Sequence, residues 1–445
     1  RAAELGAKVA LVERAELGGT CLNWGCIPTK ALLKSAQVYH YCKSAKSYGV
    51  AVEGEVKADL KAMVARSRQV AQTVGRGVEM LLKRSGVEVI KGSAELLSAT
   101  EVKVGEETYE AKNILLATGA SPREVPSIPI DHTFVLSSRD ALVLEELPET
   151  MVVVGSGAIG SEFAFLYASL GVKVTVVEYM PQMMPLEDEE VAKAMERSFR
   201  KMRATVLTST TVKAVRVEDG ICHVDIEGKK GAETLQAEVV LSAVGVKSNI
   251  ENIGLEEMGI AVERDKVVVD EHYQTSAHGV YAIGDIIATP ALAHVASAEA
   301  IHCVEHICGL EPDAVDYSTI PSCVFTTPEE PTVQDATAVG SMLMWGYLIA
   351  GAAIVIAVLA AIWDMIQKPD GIKGTIFAGV AIVAIIAGAY FIANGHDYQI
   401  LDIGNQTNFE RGETVIADTS IMVAYVAGAG AILSAIYSAI SDALK

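Results

Sequence analysis

Apolar and polar positions follow two rhythms through most of the chain and a third at its end. Val9-Ala10-Leu11-Val12-Glu13 is an apolar run of strand length closing on an acid, which predicts a buried strand over 8–13. From Val56 to Arg84 apolar residues recur at helical spacing until Gly86 stops them, and Ile114-Leu115-Leu116-Ala117 reads as another strand before Thr118-Gly119. At Met151 the rhythm restarts as strand 151–154, helix 158–170, strand 173–178 and helix 188–202, followed by β-rich sequence to Gly245. Strands and helices alternating at these lengths make a βαβ unit with a parallel sheet. Mixed strands return over 247–328, with a helix at 293–308.

Beyond Pro328-Glu329-Glu330-Pro331 the texture changes. Residues 336–363, 374–396 and 419–441 contain no Asp, Glu, Lys or Arg, and each run is long enough to cross a bilayer. They predict three transmembrane helices within 341–445, joined to the rest by a linker at 329–340. Ala427, Ala431, Ala435 and Ala439 give the third run a small-residue face suited to close helix approach. Lys368, Lys373 and Lys445 fall on one side of such a bundle and Arg411 on the other. The positive-inside rule therefore makes the lysine side cytoplasmic and leaves residues 1–328 outside, a topology that suggests two halves of separate origin.

These runs explain why only 21% of residues are charged. The net charge of −20 argues against nucleic acid as a partner. Seven cysteines with no signal-peptide pattern do not read as a secreted disulfide framework, which favours a redox or catalytic use inside the cell. The chain opens at Arg1 with no Met, in what looks like the end of a helix, so a piece of a longer protein is expected.

The sharpest motif is Gly18-Gly19-Thr20-Cys21-Leu22-Asn23-Trp24-Gly25-Cys26-Ile27-Pro28-Thr29-Lys30. Two cysteines five apart, where a glycine-rich loop enters a helix, can close a disulfide once a single turn is reshaped, and the helix N-terminus then stabilises the thiolate left by reduction. A second motif, Gly155-Ser156-Gly157-Ala158-Ile159-Gly160, lies between strand and helix, with Glu178 eighteen residues past the last glycine. Glycines let the backbone approach a pyrophosphate at a helix N-terminus, and an acid ending the second strand takes the ribose hydroxyls. That acid repels a 2′-phosphate, so NAD is favoured over NADP. Cys303 and Cys308 share the five-residue spacing, with His302 and His306 four apart, but no glycine loop accompanies them. Core packing is the better reading there, and no metal site is expected.

Together these residues resemble the flavin-dependent pyridine nucleotide–disulfide oxidoreductases from Arg1 to about Pro328, and Cys-Leu-Asn-Trp-Gly-Cys-Ile-Pro-Thr-Lys is most similar to the dihydrolipoyl dehydrogenases. The resemblance implies that Cys26 faces the flavin, that Cys21 exchanges with a dithiol, that Lys30 lies near the flavin's reactive nitrogen and that Glu162 is its ion-pair partner. It implies FAD contacts at Glu13, Lys30, Ala94, Thr118, Gly119, Asp285 and Ala293. For NAD it adds Val212 and Gly245 to Gly155, Gly157, Gly160 and Glu178, although Val246-Lys247-Ser248-Asn249 lacks the family's usual arginine. Two Rossmann-like domains follow, FAD-binding over 1–122 and NAD-binding over 123–246, with a return to the FAD part over 247–328.

The family also begins with a strand and a first GxGxxG, both upstream of Arg1, so the FAD part is expected to be incomplete and 8–13 to lack a neighbour. Its catalytic His-Pro motif has no counterpart, because none of the nine histidines precedes a proline. The homodimer domain is likewise replaced from about Glu330. The expected function is electron transfer from dihydrolipoamide, free or on the lipoyl domain of a 2-oxo acid dehydrogenase complex, through Cys21–Cys26 and FAD to NAD. The chain as given is expected to be inactive as such an enzyme, and to be held at the membrane although its enzyme part would otherwise be cytoplasmic. Two alternatives are a small integral membrane protein joined to an inert enzyme part, and a glutathione or mercuric reductase; Glu178 and the Leu-Asn-Trp-Gly wording disfavour the reductases.

Overall fold

Period-two alternation in valine-rich strands builds the central sheet of the computed structural model, which describes residues 1–326 and the short strands Leu401–Asp402 and Thr407–Asn408. In Thr150–Val154, Met151 and Val153 enter one core with Phe163, Leu166 and Phe199, while Val152 and Val154 enter a second with Val212, Val224 and Ile226. Both faces are covered, as a parallel sheet requires. The strands run Thr205–Leu207, Lys173–Val177, Thr150–Val154, Val239–Ser242 and Val135–Leu136 across the sheet, and every neighbouring pair is parallel. Helices Ala158–Ser169 and Glu189–Lys201 line one face. An antiparallel meander, Thr211–Glu218, Ile221–Gly228 and Gly231–Ala237, lines the other.

Helix Cys26–Lys43 packs into the first of these cores through Leu32, Leu33 and Ala36. The long helix predicted over 56–84 runs Leu60–Arg84, starting where the Asp59 side chain accepts the Ala62 N–H at 2.9 Å. It buries Leu60, Val64, Ser67 and Ala71, but Val74 and Leu81 are exposed, so only its first half is packed.

The remaining described residues include two separate parallel pairs, Ala10–Glu13 with Glu88–Lys91 and Ile114–Leu116 with Val280–Ala282. The second pair sits in a core of its own with Leu96, Ile286, Ile287 and Cys303, beside helix Ala293–Ile307 and the antiparallel strands Ala94–Ser98, Glu101–Val104 and Glu107–Glu110. The expectation of a buried first strand needs correction. Ala10–Glu13 pairs with one strand only among the described residues, and Leu11 and its cross-strand partner Val89 are 37% and 43% exposed because no described element covers their face.

Residues 1–327 form one compact unit and 328–445 another. In the latter the described part is the antiparallel pair Leu401–Asp402 with Thr407–Asn408. Among the described residues no helix is long and apolar enough to cross a membrane, and the three predicted spans lie outside those residues.

Candidate active site

Gly25 makes the cysteine motif a turn rather than one continuous helix. It stands between helices Gly19–Trp24 and Cys26–Lys43, and a Cβ there would lie 3.1 Å from the Thr20 carbonyl oxygen and 3.2 Å from Cys21 Cα. That close approach brings the Cα atoms of Cys21 and Cys26 to 4.7 Å, and the two are joined as a disulfide. The Thr29 hydroxyl fastens the turn by donating to the Gly25 carbonyl at 2.7 Å. Cys26 is the first residue of its helix, so its sulfur stands where free backbone N–H groups favour negative charge.

One turn further along, Lys30 reaches the second helix of the site. Its ammonium donates to both oxygens of Glu162, at 2.7 and 2.8 Å, and the Glu162 side chain is only 6% exposed. Glu162 belongs to Ala158–Ser169, the helix that the glycine motif opens, so the pair ties the disulfide helix to the nucleotide helix. The sequence did not single out Phe325, whose N–H donates to Glu162 Oε1 at 2.9 Å and whose ring centroid is 5.1 Å from Lys30 Nζ. It lies outside any helix or strand, with no periodicity to flag it.

In the glycine motif each residue has its own geometry. Gly155 has φ +94°, and a Cβ there would come within 2.4 Å of the Ala243 carbonyl oxygen. A Cβ on Gly160 would come within 2.0 Å of the Gly155 carbonyl oxygen, so this glycine lets the helix press against the turn. Gly157 has open space where its Cβ would stand, and no side chain caps the helix it begins. Bare N–H groups with room in front of them fit a pyrophosphate. Glu178 is buried beside them: Oε2 accepts from Ser156 N–H and hydroxyl, both at 2.7 Å, and Oε1 accepts the Met180 N–H at 2.8 Å. Val212 faces the meander core, and Gly245 has φ +104°.

The other predicted contacts fall into two groups. Glu13 ends its strand, its carbonyl accepting the Gly92 N–H two residues before Ala94. Thr118, Gly119 and Asp285 meet around Ser248 and Asn249: Thr118 Oγ1 donates to the Asn249 carbonyl at 2.6 Å, Asn249 N–H to the Gly119 carbonyl, and Ser248 Oγ to the Asp285 carbonyl. Burial pushes the Asp285 carboxyl above its ordinary range, with Lys266 pulling partly the other way. The stretch 246–249 is held from outside by Arg123, which donates to the Val246 carbonyl at 2.8 Å. A fully buried Glu299, also unforeseen, accepts from Gly284 N–H at 2.7 Å and from the Tyr317 hydroxyl at 3.0 Å. It thereby anchors the turn that carries Asp285. Helix Ala293–Ile307 begins at exposed Ala293 with no side-chain cap, which leaves its N–H groups available for a dinucleotide's phosphates.

Cys303 is buried, as core packing requires, and burial pushes its thiol up to about 12. Cys308 is exposed at the end of its helix, because the apolar face it was expected to join stops at Ile307. His302 is buried, one ring nitrogen on the Asp313 carbonyl and the other 3.1 Å from His272.

Residues 1–300 match the family described as pyridine nucleotide-disulphide oxidoreductase. A dihydrolipoyl dehydrogenase of Chlorobaculum parvum is 45% identical over 339 residues, covering 75% of this chain and 72% of its own length. The dihydrolipoyl dehydrogenase of Bacillus subtilis is 38% identical over 348 residues, covering 75% and 73%. Among solved structures, LpdA of Mycobacterium tuberculosis superposes with a TM-score of 0.68 at 29% identity, covering 73% of each chain. The HOCl-induced flavoprotein disulfide reductase RclA of Escherichia coli does so with a TM-score of 0.61 at 26% identity, covering 70% of this chain and 68% of its own.

Proposed function

Since the chain belongs to the pyridine nucleotide-disulphide oxidoreductase family, we propose that it passes electrons from dihydrolipoamide, free or carried by a lipoyl domain, to NAD through the Cys21–Cys26 couple. Its relatives make it a dihydrolipoyl dehydrogenase-like oxidoreductase, and that family uses FAD and NAD. One observation carries the proposal: the disulfide opens a helix whose next turn presents Lys30, paired with Glu162 of the nucleotide helix. Nothing in a structural disulfide calls for such a partly buried ion pair beside it.

In the dithiol step one substrate thiolate attacks Cys21, the Cys21–Cys26 bond breaks, and Cys26 leaves as a thiolate at its helix N-terminus. The second substrate thiolate then attacks its own sulfur in the mixed disulfide and releases Cys21. The substrate ends as a cyclic disulfide and the cysteines have gained its two electrons, while the two protons that the dithiol gave up in forming its thiolates pass to solvent. FAD supplies the two-electron relay between the cysteines and NAD. For FAD we assign Glu13, Lys30, Ala94, Thr118, Gly119, Asp285 and Ala293; for NAD, Gly155, Gly157, Gly160, Glu178, Val212 and Gly245. Glu162 keeps the Lys30 ammonium fixed in place, while the bare start of helix Ala158–Ser169 receives phosphate.

With no His-Pro motif to take protons from the dithiol, turnover by this chain is expected to be slow, since general-base help is worth roughly 10²–10⁴-fold. The charge-free runs at 336–363, 374–396 and 419–441 are assigned to membrane attachment, to be read from the fraction in which the chain sediments. The test of function is NAD reduction by dihydrolipoamide after loading with FAD. Cys21→Ser and Cys26→Ser should each abolish it. Undiminished turnover in either variant would sink the proposal.

A further inference from the structure

The stretch between the two cysteines is held from outside its own helices. Arg68, on helix Leu60–Arg84, donates to the Asn23 carbonyl at 2.6 Å, and its guanidinium carbon lies 4.4 Å from the centroid of the Trp24 ring. On the other side the Asn23 amide donates to the Leu17 and Gly19 carbonyls at 2.9 and 3.1 Å, and Trp24 Nε1 donates to Glu16 at 3.3 Å. Asn23 is 7% exposed, so the carbonyl that Arg68 meets has little water to replace it. Only a planar guanidinium can stack on an indole and donate to a neighbouring carbonyl at once.

We propose that Arg68 is a positioning residue of the redox couple: by clamping Asn23 and Trp24 it keeps Cys21 and Cys26 in bonding register, and so biases the couple toward the disulfide. The open dithiol turn samples many conformations, and a clamp that removes them raises the effective concentration of one thiol at the other. Arg68 would favour the dithiol instead if it acted mainly as a cation for a thiolate. The two roles shift the equilibrium in opposite directions. The inference rests on the disulfide geometry and stands whether or not dihydrolipoamide is the substrate.

The test equilibrates the full chain in dithiothreitol buffers, alkylates the free thiols and weighs the peptide that carries Cys21 and Cys26. Dithiothreitol gives two electrons and two protons to the disulfide and closes to its own cyclic disulfide. Arg68→Gln should open the disulfide at about tenfold less reductant, which for a two-electron couple is about 30 mV. Arg68→Lys, which keeps the charge and loses the stack, should shift in the same direction by less. Arg66 is the control. It sits on the same helix and bonds the Ala31 carbonyl at 2.8 Å, so Arg66→Gln loosens the helix pair without touching the turn and should leave the midpoint in place. If Arg68→Gln does not fold, Trp24→Leu removes the other half of the clamp and should shift the midpoint several-fold the same way. An unmoved midpoint, a shift toward the disulfide, or an equal shift in Arg66→Gln overturns the proposal.

Discussion

Glu178 shows how much one carboxylate does at the nucleotide turn. Three of its roughly four acceptor positions are taken by Ser156 N–H, Ser156 Oγ and Met180 N–H, leaving about one for a ribose hydroxyl. Glu178→Gln puts an amide donor among donors, so it should cost about 1–3 kcal/mol of stability and weaken NAD at least tenfold. Equilibrium unfolding and NAD titration measure the two effects, and unchanged NAD affinity would remove Glu178 from the ribose site. Asp285 makes a prediction about pH. Its pKa is raised by folding, so its contribution to stability is present below its ordinary 3.8 and lost as pH rises through the folded value. The ionised form therefore costs stability at pH 7. Asp285→Asn should be at least as stable as the parent at pH 7 and converge with it below about pH 4; urea midpoints at both pH values decide this, and a less stable variant at pH 7 contradicts it.

At the level of elements, the three glycines that open helix Ala158–Ser169 do different jobs. Gly157 has an ordinary φ of −64° and empty space at its Cβ position, so Gly157→Ala should fold with near-parental stability yet bind NAD more weakly, the methyl group standing where phosphate must approach. Gly160→Ala drives a methyl into the Gly155 carbonyl, so it should lose stability and NAD binding together. Thermal melts paired with NAD titrations separate the two, and equal melting losses in both would refute the division. The periodicity located this helix, its flanking strands and helix Glu189–Lys201 to within a residue or two, because both faces of the sheet are buried and leave a strong apolar signal. The same signal overstated Ala10–Glu13: an apolar run records what a strand is suited to bury, and among the described residues no element covers one of its faces.

For the whole molecule, the described structure places the disulfide, the ion pair and the glycine turn within the unit Arg1–Thr327. A chain ending after Thr327 should therefore keep the Cys21–Cys26 disulfide and bind NAD within about twofold of the full chain, a change of about 0.4 kcal/mol or less. Loss of NAD binding on that truncation would show that 328–445 supports the first unit. Lys30 and Glu162, 132 residues apart in sequence, join the two halves of the chemistry through an ion pair. Removing one partner leaves the other ionised and partly buried, so Glu162→Ala should lower dithiol-dependent NAD reduction at least tenfold while NAD affinity holds.

The sequence by itself determined the parallel nucleotide-binding unit, the disulfide and the acid that follows the glycine turn, because each is written in local spacing: period two, period 3.6, Cys-x4-Cys, Gly-x-Gly-x-x-Gly. The Lys30–Glu162 pair was legible only through a resemblance, since no local pattern links residues that far apart. The tertiary structure alone decided that Phe325 closes on Glu162, that Arg123 serves the stretch 246–249, that Glu299 braces the turn of Asp285 and that Arg68 clamps Trp24. Each of these sets a donor or a ring from one element against a carbonyl, a carboxylate or a ring of another. Such contacts depend on how elements are placed in space, which the order of residues along any one of them does not record.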